Sequence, residues 1–470
     1  MNRSRKFDFL IIGGGPGGTP ATMALGSAGK RVLLVNAGPG LGGTCLFEGC
    51  IPSKIFWETS RRLQDIRDAA AFGINIPEGT VTPDWSVVIA RKKAILTGRS
   101  EGALQTVRKL PGVDVVMGRA MLLGPRRARV APASGEEPFE VEFGQAVLAT
   151  GSAPHLPPLP GIDLPQVLTS EGMLEIDHIP ESLAVIGGGP IGMEMAHIFH
   201  GLGSRVHVLE MAPRILGPID EELAIAMEEI SRRKGIELST SVNVTGLEES
   251  GDRITAAYTE EDGSTHSLSS ERVLAVTGRR PVVDGLGLEN TSVRHDHGGI
   301  VVDENLETGE PGIFAVGDAA GVPMFANWAT AQGLALARHL LGQPVSFPTP
   351  SVNTDVIFTI PEVGIAGLTK AEAEREGLEV EEAKYPYKID GRAQISGHAE
   401  GMLKFVFEPP MGRIVGVHIL SEGAGDLLGE AALIVRKGMT VREVASSIHP
   451  HPTWNESFGI LARSIMASST

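Results

Sequence analysis

Residues 7–18 read FDFLIIGGGPGG, a short apolar run that passes directly into a glycine-rich turn. The small residues from Ala21 to Ala28 suit a helix that packs closely on a strand. This order of strand, turn and helix is typical of a dinucleotide-binding fingerprint, with Gly13 for the turn, Gly15 for the approach of a pyrophosphate and Gly18 for helix packing. The phosphates would then meet a helix N-terminus. The alternative is a glycine-rich turn that joins a strand to a helix without any ligand.

The same pattern occurs a second time. Residues 183–194 read LAVIGGGPIGME, in which Gly187, Gly189 and Gly192 take the three fingerprint positions. Two copies in one chain predict two dinucleotide sites. The alternative is a duplicated fold that is kept only for packing.

In each copy the next predicted strand leads to the position that usually carries a ribose-binding carboxylate. This position is Asn36 in the first copy and Glu210 in the second, each 23 residues after the first glycine. Glu210 favours NAD, because the 2′-phosphate of NADP would face a like charge. The neutral amide of Asn36 can still bond a ribose hydroxyl, but more weakly than a carboxylate. We therefore expect Asn36→Glu to tighten nucleotide binding at the first site.

Cys45 and Cys50 are the only cysteines among the 470 residues, and they follow the first fingerprint. Two neighbouring thiols can cycle between dithiol and disulfide. On a regular helix, residues five apart lie about 8 to 9 Å from each other, beyond the roughly 7 Å limit for a disulfide. The spacing therefore predicts an irregular backbone, to which Gly49, through unusual dihedrals, and Pro52, at a helix start, are suited. The alternatives are a structural disulfide, which a chain this long does not need, and two inert thiols.

Six motifs follow one another along the chain. They are GGTCLFEGCIPSK at 42–54, ATGS at 149–152, GGGPIGME at 187–194, TGRRP at 277–281, AVGD at 315–318 and HPTWNE at 451–456. In this order they resemble the FAD-dependent pyridine nucleotide–disulfide oxidoreductases, and within that family the dihydrolipoamide dehydrogenases most closely. The likeness runs almost from end to end.

The resemblance implies FAD in the first site, NAD in the second and a redox disulfide between Cys45 and Cys50. It also implies that Asp318 bonds the ribityl chain of the flavin and that Lys54 lies near the flavin and pairs with Glu194. The alternative for these charged residues is a solvated surface position. The predicted cofactor-binding residues are Gly13, Gly15, Gly18, Asn36, Thr44, Lys54, Thr150, Gly151, Gly187, Gly189, Gly192, Glu194, Glu210, Gly278, Arg279, Asp318 and Ala326. No metal site is predicted.

His451 and Glu456 are the remaining candidate catalytic residues. Histidine suits the proton transfers that accompany thiol oxidation, because its pKa lies near neutrality. A carboxylate on one ring nitrogen fixes the tautomer and supports the imidazolium. The alternative is one more ordinary histidine among the thirteen in the chain. The resemblance implies that this pair serves the cysteines of the other protomer, so that the active site exists only in a homodimer.

The function implied by the resemblance is oxidation of a dihydrolipoyl group, carried on a lipoylated partner protein, with NAD as acceptor. The dithiol attacks the disulfide at Cys45, and Cys50 passes electrons to FAD. One alternative is an NADH-dependent reductase of another small disulfide or quinone. A second is a non-catalytic flavin-binding partner subunit, which Asn36, Val282 and Asn327-Trp328 suggest as departures from the family pattern.

The predicted fold class is α/β, with two Rossmann-like dinucleotide-binding domains and a C-terminal α+β dimerisation domain. The length predicts about three domains. They are an FAD-binding domain over 1–151 and 277–348, an NAD-binding domain over 152–276 and a dimerisation domain over 349–470. Charged, periodic stretches predict helices over 58–70 and 85–109.

Composition bounds the possible partners and the location. A net charge of −16 argues against non-specific nucleic-acid binding, which needs a basic surface. No stretch approaches the roughly 20 apolar residues of a membrane span. The basic N-terminus, residues 1–6, is followed by an apolar run that Asp8 interrupts, so we predict no signal peptide and a cytoplasmic location.

Overall fold

The computed structural model describes residues 5–77 and 79–468. These residues form two compact units. The first comprises the chain up to residue 55 together with 86–155 and 278–348, and the second comprises 56–85, 156–277 and the chain from 349 onward. The three-domain division stays a prediction. Residues 1–4 of the basic N-terminus lie outside the described part of the chain.

The secondary-structure elements are numbered in chain order. The strands are β1 Arg5–Ile12, β2 Val32–Asn36, β3 Val113–Gly124, β4 Arg127–Pro132, β5 Phe139–Leu148, β6 Ser152–Pro154, β7 Val167–Leu168, β8 Ser182–Ile186, β9 Arg205–Leu209, β10 Glu237–Ser239, β11 Asn243–Ser250, β12 Arg253–Thr259, β13 Thr265–Ser270, β14 Arg272–Ala275, β15 Arg279–Pro281, β16 His295–Asp296, β17 Gly299–Ile300, β18 Ile313–Ala315, β19 Thr354–Ile357, β20 Glu362–Gly367, β21 Glu381–Pro386, β22 Met402–Phe407 and β23 Ile414–Ser421. The α-helices are α1 Gly18–Ser27, α2 Gly43–Phe47, α3 Cys50–Arg67, α4 Trp85–Arg108, α5 Ser170–Met173, α6 Pro190–Leu202, α7 Glu221–Lys234, α8 Ala326–Leu340, α9 Lys370–Arg375, α10 Gly391–Ser396, α11 Ala424–Lys437, α12 Val441–Ser446 and α13 Glu456–Ser468.

The first unit is built on a sheet in which β1 lies between β2 and β5, all parallel. Strand β18 extends the sheet beyond β5, β3 extends it beyond β2, and β4 pairs antiparallel with β3 and β5. Alternate residues of β1 enter different cores, with Leu10 and Ile12 in one and Phe9 and Ile11 in the other. A strand that is buried on both faces explains the uninterrupted apolar run in the sequence.

The second unit contains its own parallel sheet, in the order β10-β9-β8-β14-β7. Its strand β8 leads into α6 through the second glycine-rich turn, and α6 ends at Gly203 in the left-handed conformation. The three antiparallel strands β11, β12 and β13 form a separate sheet. Both glycine-rich turns thus leave a parallel strand and enter a helix, as predicted.

The C-terminal part of the second unit is an antiparallel sheet in the order β19-β20-β23-β22-β21. Its core packs Phe405 and Ile419 of the sheet against Leu427 of α11 and Phe458 of α13. The predicted α+β character of this region is confirmed.

One predicted helix begins in the wrong place. The helix expected over 58–70 is α3, which starts at Cys50 and ends at Arg67, and a 3-10 helix follows over Asp68–Phe72. The charged periodicity used for the prediction is absent from the first turns of α3, which read CIPSKIFW. The helix over 85–109 is confirmed as α4, within one residue.

Among the described residues, no helix combines the length and the apolar character that a membrane span requires.

Candidate active site

A break between two helices separates the cysteines. Cys45 lies in α2, the chain leaves the helical conformation at Glu48 (φ −131°, ψ 11°), and Cys50 begins α3. The amide and hydroxyl of Ser53 both donate to the carbonyl of Gly49, at 3.1 and 2.8 Å, and so hold the start of α3. The predicted irregular backbone is confirmed.

The predicted reason for Gly49 is wrong. Its φ does not fall in the left-handed region, which other glycines of the chain do occupy. A β-carbon at this position would instead lie 3.2 Å from the carbonyl oxygen of Thr44. Gly49 therefore serves close packing of the helix start against α2, and not an unusual dihedral angle.

Both cysteines are half-buried. A hydrogen bond with the Cys50 side chain, followed by burial, raises the pKa of the Cys45 thiol, and the nearby charges of Lys54 and Arg99 lower this pKa to a smaller extent. Cys45 therefore keeps its proton in the dithiol state. Because the thiolate is the reactive form, exchange at this sulfur needs a base.

The first glycine-rich turn has room for a ligand at one of its three fingerprint positions. Gly13 has φ +112°, and a β-carbon on it would lie 2.1 Å from a backbone oxygen. A β-carbon on Gly18 would lie 1.9 Å from the carbonyl oxygen of Gly13, so this residue allows the helix to pack on the strand. At Gly15 the nearest atom to a β-carbon is 3.7 Å away. A pyrophosphate fits beside Gly15 at the N-terminus of α1.

The second turn repeats this geometry. Gly187 also has φ +112°, and a β-carbon on Gly192 would again lie 1.9 Å from the carbonyl oxygen of Gly187. No described atom lies within 4 Å of the position that a β-carbon on Gly189 would take. Gly189 is the N-cap of α6, whose amides provide a second anion site. The chain thus has two cradles whose shape fits a dinucleotide.

The side chains at the two ribose positions bond differently. The carboxylate of Glu210 accepts the backbone amides of Gly188 at 2.5 Å and Ala212 at 2.7 Å. The Asn36 side chain accepts the amide of Gly14 at 2.9 Å, but it also donates to the carbonyl of Gly40 at 2.9 Å. Both side chains fix their own turn, one as a pure acceptor and the other as acceptor and donor.

A hydrogen-bonded chain leads to Asp318. Arg279 donates through Nε to Oγ of Ser152 and through Nη2 to its carbonyl, both at 2.8 Å. Because Arg279 can only donate, the Ser152 hydroxyl directs its own proton to Oδ2 of Asp318, at 2.6 Å. The structure thus brings together two predicted site residues, Arg279 and Asp318, through a serine to which no role was assigned.

The other predicted cofactor residues lie at element ends or in turns. Thr44 is in α2, Lys54 is in the first turns of α3, Thr150 donates to the carbonyl of Val282 at 2.6 Å, Gly151 and Gly278 have φ of +73° and +133°, and Ala326 begins α8. Lys54 belongs to the first unit. Glu194 belongs to the second, where its carboxylate accepts the amide of Phe358 at 2.8 Å. The pairing of Lys54 with Glu194 stays a prediction.

His451 and Glu456 lie together in the C-terminal region. The Nδ1 atom of His451 is 2.8 Å from Oε2 of Glu456, the first residue of α13. The imidazole is 79% exposed, whereas the carboxylate is 13% exposed. A proton on Nδ1, donated to the carboxylate, leaves the lone pair on Nε2 available to accept a proton from a thiol.

Glu430 of α11 anchors the segment that carries His451, a role that was not predicted from the sequence. Its two carboxylate oxygens lie 2.7 Å from Nε2 of His449 and 2.9 Å from Nδ2 of Asn455. One carboxylate therefore holds the segment on both sides of His451. Its partners are 19 and 25 residues away, so no local pattern could have revealed the contact.

Within the described chain, no group of three or more His, Cys, Asp or Glu side chains could hold a metal ion.

Comparisons with known proteins place the two parts of the chain together in one family. Residues 7–333 match the family described as pyridine nucleotide-disulphide oxidoreductase, and residues 354–462 match its dimerisation domain. A dihydrolipoyl dehydrogenase of Geobacillus stearothermophilus is 33% identical over 458 residues, which cover 95% of this chain and 93% of that protein.

Two solved structures are similar to this chain over nearly its whole length. LpdA from Mycobacterium tuberculosis matches with a TM-score of 0.89 and 25% identity, covering 98% of this chain and 100% of that chain. The HOCl-induced flavoprotein disulfide reductase RclA from Escherichia coli, solved as a Cu(II) complex, matches with a TM-score of 0.87 and 25% identity. The match covers 98% of this chain and 99% of that chain.

Proposed function

Because the chain belongs to the pyridine nucleotide-disulphide oxidoreductase family, we propose that it oxidises dihydrolipoyl groups with NAD, through a reversible disulfide between Cys45 and Cys50. FAD and NAD(H) are the cofactors of this family, as predicted from the sequence. The dimerisation domain supports a homodimer. The dihydrolipoyl substrate is proposed from the relatives, several of which are dihydrolipoyl dehydrogenases at 32 to 34% identity.

The cysteine pair is the observation that carries the proposal. The two thiols are hydrogen-bonded across a helix break. This break lies close to the first fingerprint turn, because a β-carbon added to Gly43, the first residue of α2, would lie 2.7 Å from the Cα atom of Gly15. A dihydrolipoyl thiolate attacks the disulfide at Cys45, and its second thiol then releases the cyclic lipoyl disulfide. Two electrons and two protons have then passed from the substrate to the cysteines, which become a dithiol.

His451 and Glu456 supply the proton transfers in this proposal. The attacking thiol must lose its proton, and Nε2 of His451 is the acceptor while Glu456 stabilises the imidazolium through Nδ1. The raised pKa of Cys45 means that the return of the cysteines to the disulfide also requires a base. In a homodimer, the exposed imidazole would serve the cysteines of the other protomer.

Two groups of residues would hold the cofactors. The turn at Gly13, Gly15 and Gly18, with the Asp318 chain, would hold FAD, and the turn at Gly187, Gly189 and Gly192, with Glu210, would hold NAD. FAD, when bound, carries the electron pair from the cysteine dithiol to NAD. The protein contributes the phosphate cradles at the two helix N-termini and the carboxylates that orient the rest of each nucleotide.

A thiol count tests the proposal directly. Since the chain has only two cysteines, every thiol that appears on reduction belongs to this pair. We expect no titratable thiol in the oxidised protein after denaturation, two after anaerobic dihydrolipoamide, and none again after excess NAD. Cys45→Ser should retain FAD but lose NADH formation from dihydrolipoamide. Undiminished turnover by this variant would overturn the assignment.

The similarity to RclA favours one second candidate, a reductase that uses NADH to reduce another small disulfide. Both reactions use the same cysteines, so the thiol count with NADH as reductant does not separate them. The two reactions can be distinguished by comparing the rates of NADH formation and NADH consumption. We expect NADH formation from dihydrolipoamide to exceed NADH-driven reduction of other small disulfides and quinones, and the reverse order would favour the second candidate. A non-catalytic flavin-binding subunit would show neither rate.

The partner in the proposal is a lipoylated carrier domain. A dihydrolipoyl arm is long and mobile, and it presents its dithiol to the cysteines while the carrier stays outside the site. Steady-state rates with purified lipoyl domains of different 2-oxoacid dehydrogenase and glycine cleavage carriers would identify the carrier. A carrier that raises kcat/KM above that of free dihydrolipoamide is the expected partner.

A further inference from the structure

The side chain of Asn36 uses both ends of its amide within the first nucleotide turn. Oδ1 accepts the backbone amide of Gly14 and Nδ2 donates to the carbonyl of Gly40, each at 2.9 Å, and Nδ2 also lies 3.5 Å from the carbonyl of Gly38. Exchanging the oxygen and nitrogen of the amide would set donor against donor at Gly14 and acceptor against acceptor at Gly40, so the bonding fixes its orientation. Only 5% of the residue is exposed.

The second copy of the fold shows what a carboxylate at the same position needs. There, both partners of Glu210 are backbone amides, those of Gly188 and Ala212. In the first copy, the loop after the strand turns a carbonyl, that of Gly40, toward the side chain. The loop after Asn36 therefore presents a hydrogen-bond acceptor to the side chain, whereas the loop after Glu210 presents a donor.

We propose that Asn36 is a positioning residue that clamps the 38–40 loop, and that a carboxylate at this position weakens FAD binding instead of strengthening it. The proposal reverses the expectation drawn from the family pattern, in which the acidic side chain at this position binds the ribose. It rests on FAD occupying the first site, which the family implies. It does not depend on the identity of the disulfide or dithiol substrate.

The clamp is part of a closed set of hydrogen bonds. Gly14 donates to Asn36, Asn36 donates to Gly40, and two residues later the amide of Gly42 returns to the carbonyl of Gly14 at 2.8 Å. Helix α2, which carries Cys45, begins at the next residue. The Asn36 amide therefore helps to set the distance between the fingerprint turn and the segment that leads to the two cysteines.

The carbonyl of Gly40 accepts a hydrogen bond from the Asn36 amide. Asp has the size of Asn but no amide donor, so Asn36→Asp removes the hydrogen bond to a buried carbonyl and places a negative oxygen against it. A buried acceptor that loses its donor costs enough to change an equilibrium constant by about fivefold or more. Glu adds the same charge and one more methylene, at a position where only 5% of the native residue is exposed.

The test compares FAD release by the purified holoprotein and by Asn36→Asp, Asn36→Glu and Asn36→Ala, followed through the recovery of flavin fluorescence. We expect Asn36→Asp and Asn36→Glu to release FAD at least about fivefold faster than the unaltered protein. Asn36→Asp is the informative variant, because it changes neither the size nor the shape of the side chain. If Asn36 served only to fill space, this variant would release FAD at the rate of the unaltered protein. Glu210→Gln is the matched control from the second copy, and it should leave FAD release unchanged.

Thermal unfolding of the apoprotein provides a second readout if a variant is isolated without FAD. We expect Asn36→Asp to unfold at a lower temperature than the unaltered apoprotein, because the buried carbonyl of Gly40 loses its hydrogen-bond donor. Release of FAD by Asn36→Asp or Asn36→Glu at the original rate, or more slowly, would overturn the proposal and restore the ribose-acceptor role. Neither outcome depends on lipoyl oxidation, so a failure here leaves the proposed function intact.

Discussion

The carboxylate of Glu430 lies 2.7 Å from Nε2 of His449, and this contact joins α11 to the segment that presents His451. Asn455 bonds the other oxygen of the same carboxylate at 2.9 Å. His449 is 9% exposed, whereas His451, two residues later, is 79% exposed. An anchor on each side of His451 thus holds the segment that presents its exposed imidazole.

We expect Glu430→Gln to lower the turnover of dihydrolipoamide by about tenfold, less than the roughly hundredfold or greater loss expected for His451→Gln, which removes the proposed general base. The glutamine amide can accept only one of the two bonds that the carboxylate accepts, so the segment loses one of its anchors. Steady-state kinetics measures both effects. Glu374→Gln, at an exposed acid of α9, is the control. Equal losses for Glu430→Gln and His451→Gln would contradict an indirect role for Glu430.

The parts of the fold that depend on local spacing could be predicted from the sequence. In both fingerprints the last glycine is required by a close contact with a residue nearby in the sequence, such as that between Gly18 and the carbonyl of Gly13. The spacing of the glycines alone is enough to predict these contacts. The break between Cys45 and Cys50 followed from helix geometry in the same way. The start of α3 did not, because its first turns, CIPSKIFW, hold a single charged residue, and the closely spaced charges that signal an exposed helix face begin at Glu58.

Features that depend on backbone direction or on distant contacts could not be predicted. Whether the loop after Asn36 shows an amide or a carbonyl to its side chain is decided by the path of that loop, which the fingerprint spacing does not encode. Glu430 is one of many glutamates in the sequence, and only the packing of α11 against the C-terminal segment distinguishes it.

A buried lysine links α7 to the C-terminal sheet within the second unit. Lys404 of β22 is 5% exposed, and its ammonium group lies 2.8 Å from Asp220, the N-cap of α7, and 2.7 Å from Glu382. We expect Lys404→Met to lower the free energy of unfolding by about 3 kcal/mol, because two carboxylates lose their buried counter-charge.

The cross-strand neighbour of Lys404 provides the control. Lys384 pairs with it in register and bonds Glu222, but its side chain is 57% exposed. Lys384→Met should therefore change the free energy of unfolding by less than about 1 kcal/mol. Urea unfolding of the two variants measures the difference, and a cost for Lys404→Met as small as that for Lys384→Met would show that the buried pair does not stabilise the fold.

Burial raises the pKa of Glu362 to about 7, although the amide of Gly425 donates to its carboxylate at 2.7 Å. The folded state therefore holds a proton that the unfolded chain releases near its ordinary value of 4.5. The stability contributed by this proton is fully present below pH 4.5 and is lost as the pH rises to about 7. The folded state therefore becomes less stable as the pH rises from 4.5 to about 7.

Glu362→Gln cannot titrate, so its stability relative to the unaltered protein should increase between pH 5 and pH 8, by on the order of 2 kcal/mol. Melting temperatures of both proteins at the two pH values measure this change. Burial also raises the pKa of Asp355 to about 7. The stability of Glu362→Gln should therefore still fall as the pH rises, but less steeply than that of the unaltered protein. Glu374→Gln at an exposed site should show no such increase, and parallel pH curves for Glu362→Gln and the unaltered protein would contradict the prediction.

Glu210 should set the preference for NAD over NADP, because its carboxylate is held in place by the amides of Gly188 and Ala212. We expect Glu210→Gln to raise the KM for NAD by about tenfold with little change in kcat, since a charge-assisted acceptor for the ribose hydroxyls becomes a neutral one. The ratio of kcat/KM for NAD to that for NADP should fall by at least as much, because the repulsion of a 2′-phosphate is also removed. Glu237→Gln, whose parent side chain is 75% exposed at the start of β10, controls for a general loss of negative charge. An unchanged coenzyme ratio in Glu210→Gln would mean that other groups in the second unit select the coenzyme.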